Sequence, residues 1–209
     1  MLDRETPWLL LPVKSLQRGK LRLARILSQF ERRSLNEFFL RRTINIAAEF
    51  PGVQRTTVIS EADDTLTLAK ELGVHTIRQT DGHGLNNAAT QGSEELCALG
   101  VRKLLILPID LPLLQTHDLC EIVALWRQHN VVICPDKHYA GTNAIFCSVP
   151  ILFRFSFGHE SYLRHQQEIQ RRGLVPRLHY NPRIAKDIDF PKDLVELRAR
   201  NMLPVLVGN

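Results

Sequence analysis

Apolar positions along this chain follow two alternating rhythms. Trp8-Leu-Leu-Leu-Pro-Val13 and Leu104-Leu-Ile-Leu-Pro-Ile109 are nearly continuous apolar runs, the pattern of strands buried on both faces in a parallel sheet. The β-branched stretches 53–60 and 74–77 read as second and third strands, and Val131-Val-Ile-Cys-Pro135 and Ala144-Ile-Phe-Cys147 as later ones. Between these runs the apolar spacing changes to three and four. Residues 28–50, with Leu35, Phe38, Phe39, Ile44, Ile46 and Ala47, read as a helix, as do 61–72 before a closing Gly73. Further helices are predicted from the turn at Gly82 to about Leu99, over 116–128, from about Phe157 to Arg172, and over 191–198. Strand-helix alternation of this kind predicts an α/β fold, a parallel sheet with helices on its faces.

Composition narrows this picture. A chain of 209 residues, 44% hydrophobic, can bury one good core, so one domain over 1–209 is expected. The net charge of +5 is mild and suits anionic small molecules as well as nucleic acid. Lys and Arg form no long block interleaved with aromatics, which argues against a nucleic-acid partner. Cys97, Cys120, Cys134 and Cys147 are widely spaced without a C-x-x-C pair, which argues against a zinc site or a disulfide framework and fits a reducing compartment. No apolar run reaches the roughly 18 residues of a membrane span and no signal-peptide pattern is present, so a cytoplasmic protein with no membrane partner is expected. Oligomeric state has no signature here.

Several polar groups stand where chemistry could occur. The run from Leu104 ends in Asp110-Leu-Pro112, and open α/β sheets bind ligands at the carboxyl ends of their strands. Asp110 therefore holds a metal or phosphate, or caps a helix starting near Gln115. Lys14, Lys20, Arg22 and Arg25 follow the first strand in a basic loop that runs into a helix. They suit a polyphosphate, or form a solvated basic face. The loop has no Walker pattern, and the chain has no G-x-G-x-x-G. Gly82-His-Gly-Leu85-Asn86-Asn-Ala88 opens a helix with free N–H groups and amides, an anion or base grip or an ordinary cap. Gly141-Thr142 offers an N–H and a hydroxyl to an oxyanion, and Gly158 with Ser161 opens another helix as an anion pocket, His165 following one turn later. Asp187 and Asp189, two apart, would share one face of a strand with Ile188 turned inward. Such a pair repels unless a cation or a proton intervenes, and with Asp110 it could hold Mg²⁺; solvated aspartates ahead of a helix are the alternative.

Taken together, these residues resemble the phospholactate guanylyltransferase family of MobA-like nucleotidyltransferases. The resemblance rests on Leu11-Pro-Val-Lys14 with Lys20 and Arg22-Leu-Ala24, Leu85-Asn86 with Ala88, and Asp110-Leu-Pro112. It continues through Pro135-Asp136, Gly141-Thr142-Asn143, Phe157-Gly158 with Ser161 and His165, and Asp187-Ile-Asp189 before Pro191, covering nearly the whole chain. It implies a Rossmann-like three-layer α/β/α sandwich with a mostly parallel sheet, as in nucleotide-diphospho-sugar transferases. It implies transfer of GMP from GTP to 2-phospho-L-lactate, phosphoenolpyruvate or 3-phospho-D-glycerate, with release of pyrophosphate, on the route to coenzyme F-420. By the same resemblance Asp110, Asp187 and Asp189 hold magnesium, and Thr142, Gly158 and Ser161 bind the acceptor phosphate. Lys14, Lys20 and Arg25 meet the triphosphate and Leu85, Asn86 and Ala88 the nucleoside, while Lys14, Arg22 and Asp110 carry catalysis. Leu21 stands where a small hydroxyl residue is common, and Tyr162 where phenylalanine is usual. A molybdopterin nucleotidyltransferase is the competing enzyme; the stretch from Leu11 to Gly19 lacks the glycine-rich first loop usual there. A nucleotide-binding regulator without catalysis is the competing non-enzyme.

Overall fold

The computed structural model describes residues 6–126, 130–199 and 203. Strands β1 (Trp8–Pro12), β2 (Thr56–Ser60), β3 (His75–Arg78) and β4 (Lys103–Ile106) run parallel to one another. With β5 (Val131–Pro135), β6 (Thr142–Ser148) and β7 (Pro176–Leu178) they form one seven-stranded sheet of order β3-β2-β1-β4-β6-β5-β7. β6 is antiparallel to both its neighbours, and β5 and β7 are parallel to each other. The sheet is therefore mostly parallel, as expected, with one reversed strand that element order alone could not reveal.

Helices α1 (Gln29–Glu49), α2 (Asp63–Glu71), α3 (Leu85–Ala98), α4 (Thr116–Trp126), α5 (Ser161–Arg171) and α6 (Pro191–Ala199) cover the two faces. Side chains alternate across a strand, so consecutive residues divide between two cores. Leu9, Leu11, Leu105 and Phe146 pack with Phe39 and Leu40 of α1, Ile122 of α4 and Leu197 of α6. Leu10, Leu104, Ile106 and Ile145 pack with Ala88, Ala89 and Leu96 of α3 and Ile169 of α5. The result is the expected three-layer α/β/α sandwich. Helix α3 approaches β1 so closely that a Cβ on Gly92 would come within 2.8 Å of Leu10 Cδ2. Among the described residues no helix is long and apolar enough to cross a membrane.

Local differences from the expected elements have local causes. β4 stops at Ile106, not at the carboxylate: Leu107 still donates to Leu10 O (3.2 Å), but Pro108 has no N–H to continue. Residues 53–55 form a 3₁₀ turn after Gly52 (φ +103°), so β2 begins only at Thr56. The basic loop does not flow into a helix. Leu21–Leu23 is a single 3₁₀ turn, and α1 starts after Ser28, whose hydroxyl accepts from Glu31 N–H (3.2 Å) while Glu31 accepts from Ser28 N–H (2.7 Å). Asp187 and Asp189 lie on a loop, not a strand, although Ile188 is fully buried as expected. β7 was not predicted; it is a partly exposed edge strand beginning with proline, without an apolar run. Residue 128, the expected end of α4, lies outside the described residues.

Candidate active site

Reversal of β6 gathers the site. Thr142, the first residue of β6, pairs with Pro135, the last of β5, so it lies at the edge where β1 and β4 also end. Lys14 follows β1 there, and the segment carrying Asp110 follows β4. Helix α1 braces that segment: Thr43 Oγ1 donates to Ile109 O (3.1 Å) and Arg42 to Leu114 O (2.8 Å). The N-terminus of α4 is capped not by Asp110 but by Asp118, which accepts from Gln115 N–H (2.8 Å). Asp110 is thereby left for the site.

Three carboxylates converge there on one ammonium. Ile188 N–H donates to Asp110 O (3.2 Å), joining the Asp187–Asp189 loop to the Asp110 segment. Lys20 donates to the Asp110 carboxylate and to Ile188 O, and its Nζ lies 3.6 Å from Asp189 Oδ1. Arg22 pairs with Asp189 from outside (2.7 Å) and stacks over Phe190, 5.2 Å from the ring centre. Lys20 reaches this position from a left-handed backbone (φ 57°) after Gly19. A Cβ on Gly19 would come within 2.6 Å of Asn36 Nδ2, which donates to Leu16 O (2.7 Å) and pins the loop to α1.

Electrostatics at the cluster favour a further cation. Burial opposes the Lys20 ammonium, but the charge and hydrogen bond of Asp110, with Asp189 and Asp187 behind, hold its pKa above the ordinary value. Asp187 is pushed up to about 6, first by burial and then by the charges of Asp110 and Asp189. Three carboxylates against the Lys20 ammonium and the exposed Arg22 guanidinium still leave an excess of negative charge carried by hard oxygen donors, the chemistry that suits Mg²⁺. Among the described residues no set of three His, Cys, Asp or Glu side chains is already arranged to hold an ion. Lys20 occupies the space between the carboxylates instead.

Beside the cluster, where β6 begins and α5 starts, lies a pair of hydroxyls. Thr142 Oγ1 and Ser161 Oγ are 3.3 Å apart, and His165 Nδ1 is 3.0 Å from Thr142 Oγ1. The turn before Thr142 is organised by Asp136, which accepts from His138 and Ala140 N–H (both 2.9 Å). A Cβ on Gly141 would come within 2.8 Å of the Asp136 carboxylate. Gly158, at φ +116°, uses the backbone freedom that only glycine has cheaply and brings the chain into α5, where Ser161 N–H donates to Gly158 O (3.1 Å).

The loop carrying Asp187 and Asp189 is braced on several sides. Arg183 Nε donates to Asp118 Oδ1 (2.9 Å), Asn181 Nδ2 to the same oxygen (2.7 Å), and Asn143 Nδ2 to Ile184 O (2.9 Å). Asp118 is fully buried; burial works against its charge, but the bonds from Arg183, Gln115 and Asn181 hold its pKa below the usual carboxylate range. At the far end Asp193 accepts from Phe190 N–H (2.8 Å) and pairs with Lys137 (3.1 Å).

Of the residues singled out in the sequence, Lys20, Arg22, Asp110, Asp187 and Asp189 come together, and Thr142, Ser161 and Gly158 form a second group beside them. Lys14 and Arg25 are exposed, and Lys14 O accepts from Thr65 Oγ1 (3.3 Å). Leu85 is half-buried and Ala88 buried at the start of α3, the Ala88 methyl in the core beneath the turn. Asn86 turns its amide to Phe157: Nδ2 donates to Phe157 O (3.2 Å) and Oδ1 accepts from Phe157 N–H (2.6 Å). Sequence reading had no signal for the Asp118–Arg183 brace or for the contacts of His165, because the partners lie far apart in the chain. All four cysteines are free.

Comparison with known proteins accords with this architecture. The chain is 36% identical over 189 residues to a phosphoenolpyruvate guanylyltransferase of Rubrobacter xylanophilus, covering 90% of this chain and 91% of that one. It is 30% identical over 188 residues to a 2-phospho-L-lactate guanylyltransferase of Methanobrevibacter smithii, covering 90% and 82%. Among solved structures, a cytidylyltransferase of Leptospira borgpetersenii superposes with a TM-score of 0.64 at 13% identity over 96% of this chain and 89% of that one. The 4-diphosphocytidyl-2C-methyl-D-erythritol synthase of Anaerococcus prevotii gives 0.62 at 9%, over 94% and 99%; both show the shared fold. The model of the CofC-like guanylyl transferases matches residues 8–200, and the chain belongs to that family.

Proposed function

We propose that this protein transfers GMP from GTP to a phosphorylated three-carbon acid, releasing pyrophosphate, on the route to coenzyme F-420. The observation that carries the reading is the convergence of Asp110, Asp187 and Asp189 beside the Thr142–Ser161 hydroxyl pair at one sheet edge. The first group suits a metal-bound triphosphate and the second an acceptor phosphate. A phosphate oxygen of the acceptor attacks the α-phosphorus of GTP in line; the new P–O bond forms as the bond to the β-phosphate oxygen breaks. The nucleophile is already anionic, so no general base is needed, and catalysis rests on positioning and charge. Asp110, Asp187 and Asp189 would hold Mg²⁺, which when bound supplies neutralising charge to the phosphate oxygens. Lys20, released from the carboxylates, and Arg22 are placed to meet charge on the departing pyrophosphate, and exposed Lys14 to guide the triphosphate. Thr142, Ser161 and the backbone at Gly158 hold the acceptor phosphate. With GTP as donor, the reading carries a cytoplasmic location.

Phosphoenolpyruvate is the acceptor we favour, since the 36%-identical relative bears that name. Pyrophosphate release by the purified protein with Mg²⁺ and GTP tests this, each of the three acids being supplied separately and ATP and CTP serving as controls. Release with phosphoenolpyruvate and GTP alone is expected. Release with another of the acids would replace the acceptor. Silence with all three would overturn the acceptor class and favour a binding protein on the same fold.

A further inference from the structure

His165 is fully buried on α5, one turn after Ser161, and both its ring nitrogens are engaged. Ser156 N–H donates to Nε2 (2.8 Å), so Nε2 carries no proton. The neutral ring must then carry its proton on Nδ1 and donate it to Thr142 Oγ1 (3.0 Å). Burial pushes the imidazole pKa down to about 4, with the Arg164 charge adding to the effect, so the ring is neutral at pH 7.

This tautomer fixes what the two hydroxyls can offer. Thr142 and Ser161 together own two hydroxyl protons, and one is used in the bond between them. Were Nδ1 bare, it would accept the second, and the pair would present only lone pairs. Because Nδ1 donates, the second proton has to point elsewhere, and the pair becomes a net donor. A phosphate accepts hydrogen bonds only, so the tautomer decides whether the pair attracts or repels it. We propose that His165 is a positioning residue for the acceptor: by donating from Nδ1 to Thr142 Oγ1, it holds the Thr142–Ser161 pair as a hydrogen-bond donor to the acceptor's phosphate. The proposal rests on the reading that this phosphate binds at Thr142, Gly158 and Ser161.

Steady-state kinetics with the full chain, Mg²⁺, GTP and phosphoenolpyruvate (or whichever of the three acids proves active) test it through two substitutions. In His165→Asn the amide nitrogen takes the place of Nδ1 and can still donate to Thr142. In His165→Gln the amide takes the place of Nε2, and the donor to Thr142 is lost. His165→Gln is expected to raise the KM for the phosphoacid about tenfold or more while the KM for GTP stays within about twofold. His165→Asn is expected to recover most of that loss. Equal KM values for the phosphoacid in both variants, or parallel changes in both substrates' KM values, would overturn the role. Thr142→Ala and Ser161→Ala separate this failure from that of the underlying reading. If they raise the phosphoacid KM and the His165 variants do not, only the His165 proposal fails; if neither does, the acceptor site itself is misplaced. Should the His165 variants fail to fold, two-bond ¹H–¹⁵N correlation spectra of the ¹⁵N-histidine-labelled wild type report the tautomer directly. A protonated Nδ1 is expected, and a protonated Nε2 would overturn the proposal.

Discussion

Asn86 and Phe157, 71 positions apart, hold each other by two hydrogen bonds, the Asn86 amide closing on the Phe157 backbone at 3.2 and 2.6 Å. The start of α3, proposed to face the nucleoside, is thereby tied to the loop that delivers Gly158 and Ser161, proposed to face the acceptor.

Replacing Asn86 with Ala leaves a backbone N–H and C=O unmatched at a buried residue, a loss of roughly 1–3 kcal/mol. Because the tie joins both turns, Asn86→Ala is expected to raise the KM for GTP and for the phosphoacid together and to lower the urea midpoint. An unchanged midpoint with a rise confined to GTP would instead make Asn86 a direct nucleotide ligand.

Asp118 and Arg183 brace the loop that bears Asp187 and Asp189, and Asp118 is buried completely. Arg183 keeps a third of its side chain exposed, so removing Asp118 strands a partly solvated guanidinium together with the Asn181 and Gln115 donors, at a cost of roughly 1–3 kcal/mol. Asp118→Leu should lose about that much in urea denaturation, together with most of kcat. Asp118→Leu with Arg183→Met should recover part of the stability but not the turnover, since the apolar pair no longer fixes the loop. A double variant no more stable than Asp118→Leu alone would show that the unpaired Arg183 was not the source of the loss.

Much of this architecture was legible in the sequence because burial writes itself into periodicity. Leu9 to Leu11 and Leu104 to Ile106 lie between two helical layers, so every position had to be apolar, and that run is visible. Pro176 to Leu178 form a partly exposed edge strand, and no pattern marks them. The direction of β6 depends on contacts with β4 and β5 rather than on its own residues. Asp110, Asp187 and Asp189 stood out as carboxylates, but that Lys20 would lie among them depends on a left-handed turn at a lysine, a conformation its sequence does not advertise. His165 stood out as one turn beyond Ser161 and as part of the resemblance, without a partner of its own. Its bond to Thr142 joins positions 23 apart and required the sheet to be assembled first.

Magnesium dependence gives a sharper check on the carboxylates. Chelation with EDTA should abolish pyrophosphate release and added Mg²⁺ should restore it. Asp189→Asn removes one charge from a loop whose backbone is held independently by Asp193, so the fold should survive while turnover falls by several orders of magnitude. Near-normal turnover by a folded Asp189→Asn protein, with circular dichroism matching the wild type, would take Asp189 out of the metal site.

Stability should also carry the mark of buried His165. Its pKa in the folded protein is pushed down to about 4, whereas an unfolded histidine titrates near 6.5. As pH falls, the unfolded chain takes up the proton first, so stability due to the neutral ring is complete above about 6.5 and drains away down to about 4. Among the described residues the ring meets Thr142, the Ser156 amide and the Phe157 ring, and the Arg164 charge adds to the effect of burial. The full drain amounts to roughly 3 kcal/mol for a shift of this size. Urea unfolding of the wild type and of His165→Gln between pH 7.5 and 4 isolates it, because the other titrating groups cancel in the difference. The wild type's advantage over the variant should shrink by about that amount as pH falls through the window. An advantage that stays constant with pH would mean that the ring is not held neutral in the folded protein, and with it the donor to Thr142 would lose its fixed direction.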